Sequence, residues 1–112
     1  MNESEKKQRA KCNAYGSEFV PSLGDLKVGL ATQTLSVSPI YGVRSALVGD
    51  TTGWYLWAGP FSDDPEFFKP VHAEHIITIL PILDQYLGLA PGYKFIIDTN
   101  GYEDVWFEQI IT

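Results

Sequence analysis

From Gly53 to Gly59 the chain reads Gly-Trp-Tyr-Leu-Trp-Ala-Gly, with no charged residue between its bounding glycines. A run this aromatic, apolar on both alternating faces, predicts a strand in the middle of a sheet. Shorter β-type runs occupy residues 27–34 and 41–48, separated by the turn-rich Ser36-Val37-Ser38-Pro39. The period changes after the polar turn at residues 62–66. Phe67-Phe68-Lys69-Pro70 leads into Ala73, Ile76, Ile77 and Leu80 at i, i+3, i+4 and i+7, the spacing of a core-facing helix. Pro81 would clash with the carbonyl four residues earlier, so the helix should break near Leu80 and resume to Tyr86 or Leu87, with Gly88 ending it.

Two further apolar runs, 93–99 and 102–109, flank Asn100-Gly101, the dipeptide suited to the positive φ angles of a two-residue hairpin turn. That turn pairs Thr99 with Tyr102, Ile97 with Asp104, Phe95 with Trp106 and Tyr93 with Glu108. Ile96, Val105 and Phe107 then share the other face. Those three suit packing on the helices, leaving Tyr102, Asp104, Trp106 and Glu108 as an aromatic and acidic stripe; the reverse assignment stays open. Residues 3–12 favour a helix through Glu3–Lys7 and Glu5–Arg9 pairs but carry little apolar face to dock. The expectation is an α+β fold: a charged tail or helix over 1–12, then a single domain over 13–112. Its mostly antiparallel sheet carries a kinked or broken helical segment at about 71–88 on one face and ends in a C-terminal hairpin.

Composition narrows the function. The hydrophobic fraction of 45% is that of a folding chain. Residues 1–12 hold four of the eight basic and two of the fourteen acidic side chains, which leaves the remainder at −8. Such a body repels phosphate backbones, so direct nucleic-acid binding is disfavoured, and it attracts a basic partner. The bland alternative is acidity for solubility alone. With Cys12 the single cysteine, no intrachain disulfide can form. The polar start and the lack of an apolar run near ~20 residues point to a cytoplasmic protein without membrane association.

Candidate chemistry is sparse. His72-Ala73-Glu74-His75 sets two imidazoles three residues apart on one helical side, a weak metal or metal-enzyme site beside the plainer reading of a helix first turn. The carboxylate pairs Asp63-Asp64 and Glu103-Asp104 read as solvated charge before acid–base pairs. No nucleophile elbow or phosphate loop occurs, and no cofactor is expected. Trp54, Trp57 and Trp106 could fill the core, line a small-ligand pocket or anchor an interface. Trp106 is the best interface candidate, because Asp104 and Glu108 would flank it and unpaired carboxylates avoid a core.

Five strings in order then carry a resemblance: Pro39-Ile40-Tyr41-Gly42-Val43-Arg44, the 53–59 run, Asp64-Pro65-Glu66-Phe67-Phe68-Lys69-Pro70-Val71-His72-Ala73-Glu74-His75, residues 86–95 and residues 101–107. From about Cys12 to the carboxyl terminus the chain resembles the immunity protein 33 family of bacterial polymorphic toxin systems. Pro60 stands where an acidic residue would be expected. The resemblance implies a cytoplasmic, non-enzymatic protein that neutralises a cognate secreted toxin by stoichiometric binding; it supplies no site residues. From the residues themselves, the expected partner face comprises Asp63, Asp64, Glu66, Tyr102, Asp104, Trp106 and Glu108. It would suit a toxin with a basic active-site cleft, and whether the protein is a monomer or homodimer is left open.

Overall fold

In the computed structural model, which describes residues 2–110, residues 53–58 of that run lie within a long central strand, and Gly59 follows its end. Elements follow as α1 (Glu3–Tyr15), β1 (Lys27–Leu30), β2 (Ile40–Arg44), β3 (Thr51–Ala58), β4 (Lys69–His72), α2 (Ile76–Ile79), β5 (Tyr93–Ile97) and β6 (Glu103–Phe107). Short 3₁₀ turns cover Thr32–Thr34, Ala73–His75 and Pro81–Tyr86. The six strands form one sheet in the order β4-β1-β3-β2-β5-β6, antiparallel at every pairing except β1 with β3. The α+β architecture and the C-terminal hairpin agree with the sequence reading.

One sheet face carries the core. Val28, Leu30, Trp54, Leu56, Phe95, Ile97 and Val105 point to the side where Cys12 of α1, Ile76 of α2, and Leu83, Tyr86 and Leu87 pack. Apolar burial of this kind stabilises by about 25 cal/mol per Å². Gly42 sits among these residues because the Phe95 ring occupies the space of its absent side chain: a Cβ there would lie 2.1 Å from Phe95 Cε2. Phe95 is held in place by stacking on Tyr86 at 4.4 Å between centroids.

Arg44 is 1% exposed and, among the described residues, has backbone carbonyls and no carboxylate as its hydrogen-bond partners. Its Nε donates to Thr52 O at 2.9 Å, and its Nη1 donates to Val20 O at 2.6 Å and Leu89 O at 2.8 Å. Longer contacts reach Leu87 O at 3.3 Å and Pro21 O at 3.5 Å. The guanidinium fork thus ties β2 to β3 and to two loops, with carbonyl dipoles compensating a buried charge. Burial lowers its pKa to about 10, which leaves it protonated at neutral pH.

Three expectations require correction. First, β4 is a strand where residues 71–72 were assigned to the helical segment. Pro70 lacks the N–H of an interior strand but is accommodated at the sheet edge. Second, the segment does break at Leu80, yet it is a 3₁₀ turn, one α turn and a second 3₁₀ turn, so a single 3.6-residue period does not apply across it. Ala73 and Ile76 are buried while Ile77 is 45% exposed. Third, the hairpin register differs by one residue: Phe95 pairs with Val105, Lys94 with Trp106, Ile96 with Asp104. The Asp98 carboxylate accepts the N–H of Asn100 at 2.8 Å and of Tyr102 at 2.9 Å, closing a three-residue loop with Gly101 at φ 89°. Ile96 therefore faces away from the core, while Tyr93, Phe95 and Ile97 join Val105 inside.

The charged amino-terminal segment forms α1 as far as Tyr15 and docks. Cys12 Sγ donates to Gly88 O at 3.3 Å, and Gln8 Nε2 donates to Asp84 O at 3.0 Å. Glu103 of β6 receives Lys11 Nζ at 2.6 Å, Tyr86 OH at 2.5 Å and Tyr15 OH. Partial burial alone would raise the Glu103 pKa; the three donors outweigh it and hold the carboxyl at about 2.

Candidate functional site

The pleat sends the alternate side chains of each strand to the side of the sheet opposite the core. Pairing aligns two rows there. Pro70, Gly29, Tyr55, Val43, Lys94 and Trp106 cross all six strands. Trp57, Tyr41, Ile96 and Asp104 run beside them from β3 to β6. None of these side chains belongs to the buried core.

Six rings concentrate at the β3 end. Tyr41 and Trp57 stack with centroids 5.3 Å apart and planes at 16°. Phe61 meets Trp57 edge-on at 5.4 Å, and Phe68 bridges Tyr55 at 5.1 Å and Trp57 at 5.9 Å. Phe67 lies 4.9 Å from Phe68. The three phenylalanines come from the loop at residues 59–68, which folds back over β3. Its turn is set locally: Ser62 Oγ accepts the Asp64 N–H at 3.2 Å, and Asp64 Oδ1 accepts the Glu66 N–H at 2.9 Å. Such ring pairs contribute about 0.5–1.5 kcal/mol each beyond burial. They leave Tyr55 at 41% and Phe61 at 61% exposure. Two open grooves border the cluster, one of about 200 Å³ over Gly29 between Tyr55 and Phe68, the other of about 460 Å³ beside Tyr41, Trp57 and Phe61.

The residues expected to bind a partner distribute around this face. Asp104 and Trp106 lie on it, on edge strand β6. Asp63, Asp64 and Glu66 occupy the turn of the aromatic loop, all exposed. Asp104 on β6 lies three strand spacings, about 14 Å, from Trp57 on β3, with Tyr41 and Ile96 between them. Tyr102, 53% exposed, sits at the hairpin loop. Two acids are ion-paired: Glu66 with Lys69 at 2.7 Å and Glu108 with Lys94 at 2.6 Å. Hydrogen bonds from these lysines hold both carboxyls below the usual range.

Of the tryptophans, Trp54 is in the core, its Nε1 donating to Leu87 O at 3.2 Å, while Trp57 is central to the open face. His72 and His75 are exposed, with ring centroids 5.8 Å apart, and among the described residues no group of three His, Cys, Asp or Glu is placed to hold a metal ion. Tyr41, Tyr55, Phe61, Phe67 and Phe68 were not singled out from the sequence. The Phe67-Phe68 pair beside a polar turn was the available signal, but its direction depends on how the loop folds.

The fold and the face define a small α+β protein whose sheet is covered on one side and presents an aromatic, acid-flanked surface on the other. The chain belongs to the Imm33-like domain family, whose model matches residues 7–108. The match takes in part of α1, upstream of the Cys12 at which the sequence resemblance began. No curated protein and no solved structure matches the chain significantly. No helix among the described residues is long and apolar enough to cross a membrane.

Proposed function

We propose that this protein is an immunity protein that acts in the cytoplasm by binding and neutralising a cognate toxin, as a stoichiometric inhibitor and not as a catalyst. The observation that carries the reading is the six-ring cluster on a sheet face that contributes nothing to the core. Aromatic side chains bury large areas at low entropic cost and dominate interface energetics, so an uncovered cluster of them is suited to the desolvated centre of a contact. Asp63, Asp64 and Glu66 on one flank and Asp104 on the other form an acidic rim that steers and orients a basic partner surface, such as a toxin's active-site cleft. The grooves are open and shallow, a shape that suits a protein surface better than an enclosed small ligand.

The test is capture of the neighbouring reading frame's product from co-expressing cells. The Trp57→Ala, Phe61→Ala pair should weaken capture by at least about 30-fold, the loss of one hot spot worth ~2 kcal/mol. Asp104→Lys, Trp106→Ala should weaken it independently. Full capture by both folded variants would move the interface off this face, and no capture by the wild type would remove the toxin reading.

A further inference from the structure

Along the open face the row Trp57, Tyr41, Ile96 and Asp104 runs from β3 to β6, aromatic at one end and acidic at the other. Tyr41 stacks on Trp57 with planes at 16°. Because β2 lies between β3 and β5, the ring face that Tyr41 does not give to Trp57 turns towards β5. The next residue there is Ile96, half-buried, and beyond it comes Asp104, exposed on the edge strand. Among the described residues the Asp104 carboxylate takes part in no ion pair and no hydrogen bond, unlike its neighbours. Glu103 holds Lys11, Tyr15 and Tyr86 on the helical side, and Glu108 holds Lys94 at 2.6 Å. The charge of Lys94, two residues before Ile96, is therefore already taken. Asp98, two residues after Ile96, gives one carboxylate oxygen to the amides of Asn100 and Tyr102.

An aromatic face, an apolar floor and an unpaired carboxylate in one row are the parts that recognise a cation on an apolar stem. Tyr41 and Asp104 stand two strand spacings apart, about 9.5 Å. A planar cation resting on the ring at about 4 Å comes within ion-pairing reach of the carboxylate, and its stem lies over Ile96. We propose, resting on the reading of this face as toxin-binding, that the stretch between Tyr41 and Asp104 receives an arginine side chain of the toxin. Charge favours that occupant: residues 13–112 carry four basic and twelve acidic side chains, so the surface that meets them is basic. Arginine suits the place better than lysine, because a guanidinium is flat, stacks on aromatic rings and is more weakly hydrated than an ammonium.

The test is an amide NMR titration of the full chain with acetyl-Gly-Arg-Gly-amide and with its lysine and citrulline counterparts. The arginine peptide should shift the resonances of residues 41, 96 and 104 with a millimolar Kd. The lysine peptide should bind at least about threefold more weakly, and the uncharged citrulline peptide should leave the resonances in place. Asp104→Asn should weaken arginine binding by at least about tenfold and Tyr41→Leu by at least about threefold. Asp63→Asn, Asp64→Asn removes more charge elsewhere on the rim and should leave the Kd within about twofold. Asp104 makes no internal bond, so Asp104→Asn keeps the fold and decides the matter even where Tyr41→Leu does not fold. No response to the arginine peptide, a response confined to other residues, equal binding of the lysine or citrulline peptide, or an equal loss from the Asp63, Asp64 pair would overturn the assignment. No toxin enters this titration, so its failure leaves the immunity reading to the capture experiment. Arginine binding here alongside failed capture would instead remove the toxin and keep the site.

Discussion

Replacing Glu103 with Gln keeps the shape and one acceptor oxygen but removes the charge that gathers Lys11, Tyr15 and Tyr86. With the Glu103 pKa at about 2 against an unfolded value of 4.5, the difference of about 2.5 units at 1.36 kcal/mol each sets a ceiling of about 3.4 kcal/mol. The side chain is 28% exposed, and solvent screening reduces the expected loss to about 1–2 kcal/mol. The sign follows from linkage. A depressed folded pKa gives stability that is fully present above the unfolded pKa and lost as pH falls from 4.5 towards 2. Urea unfolding of wild type and Glu103→Gln should therefore differ by this amount at pH 7, and the difference should fade as the pH is lowered through that window. The Tyr15 hydroxyl, pushed up to about 12 by its hydrogen bond to Glu103 and then by burial, should titrate nearer its ordinary value in the variant. An energy gap that is constant with pH, or no gap at pH 7, would refute the assignment of α1 docking to this charge.

Two other substitutions test the core side of the sheet. Arg44→Met removes the donors to Thr52, Val20 and Leu89. At ~1–3 kcal/mol per abandoned buried acceptor it should cost at least about 3 kcal/mol, measured as a lower urea midpoint or failure to fold; a loss under about 1 kcal/mol would contradict the hub. Gly42→Ala should cost about 2–3 kcal/mol by driving a methyl into the Phe95 ring, and Phe95→Leu in the same chain should recover part of that loss in a double-mutant cycle.

What the sequence made legible, and what it hid, follows from how local each determinant is. Strand β3 announced itself because seven consecutive residues carry its pattern, and the break at Leu80 because a proline forbids the continuous helix. The hairpin was visible but its register was not. Asn-Gly favours a two-residue turn, and a carboxylate two positions before the assumed loop, on Asp98, overrides it by capping two amides. Strand β4 is four residues long and held by β1, more than thirty-five residues away in sequence, so nothing local marks it. Likewise α1 docks through Cys12, Tyr15 and the stems of cationic residues, with Arg9 4.2 Å over the Phe19 ring, a face no hydropathy pattern displays. At the candidate face, the outward direction of Asp104 and Trp106 was readable from alternation. The aromatic cluster was not, since three of its rings arrive on a folded-back loop. Arg44 was hidden because an arginine in a strand ordinarily signals a solvent-facing position.

The division of each strand between two faces has a consequence for how relatives of this protein can diverge. Along β2, Ile40, Gly42 and Arg44 answer to the fold, while Tyr41 and Val43, one position away in each case, lie on the open side and, under the proposed function, answer to the partner. Selection acting on recognition and selection acting on stability are thereby threaded through the same few residues without colliding. A lineage facing a new partner can rewrite every second position of the central strands and keep its core intact. Divergence driven by partner choice should then appear as a two-residue rhythm of variable and constrained sites, absent from α1 and from the segment between Ala73 and Tyr86.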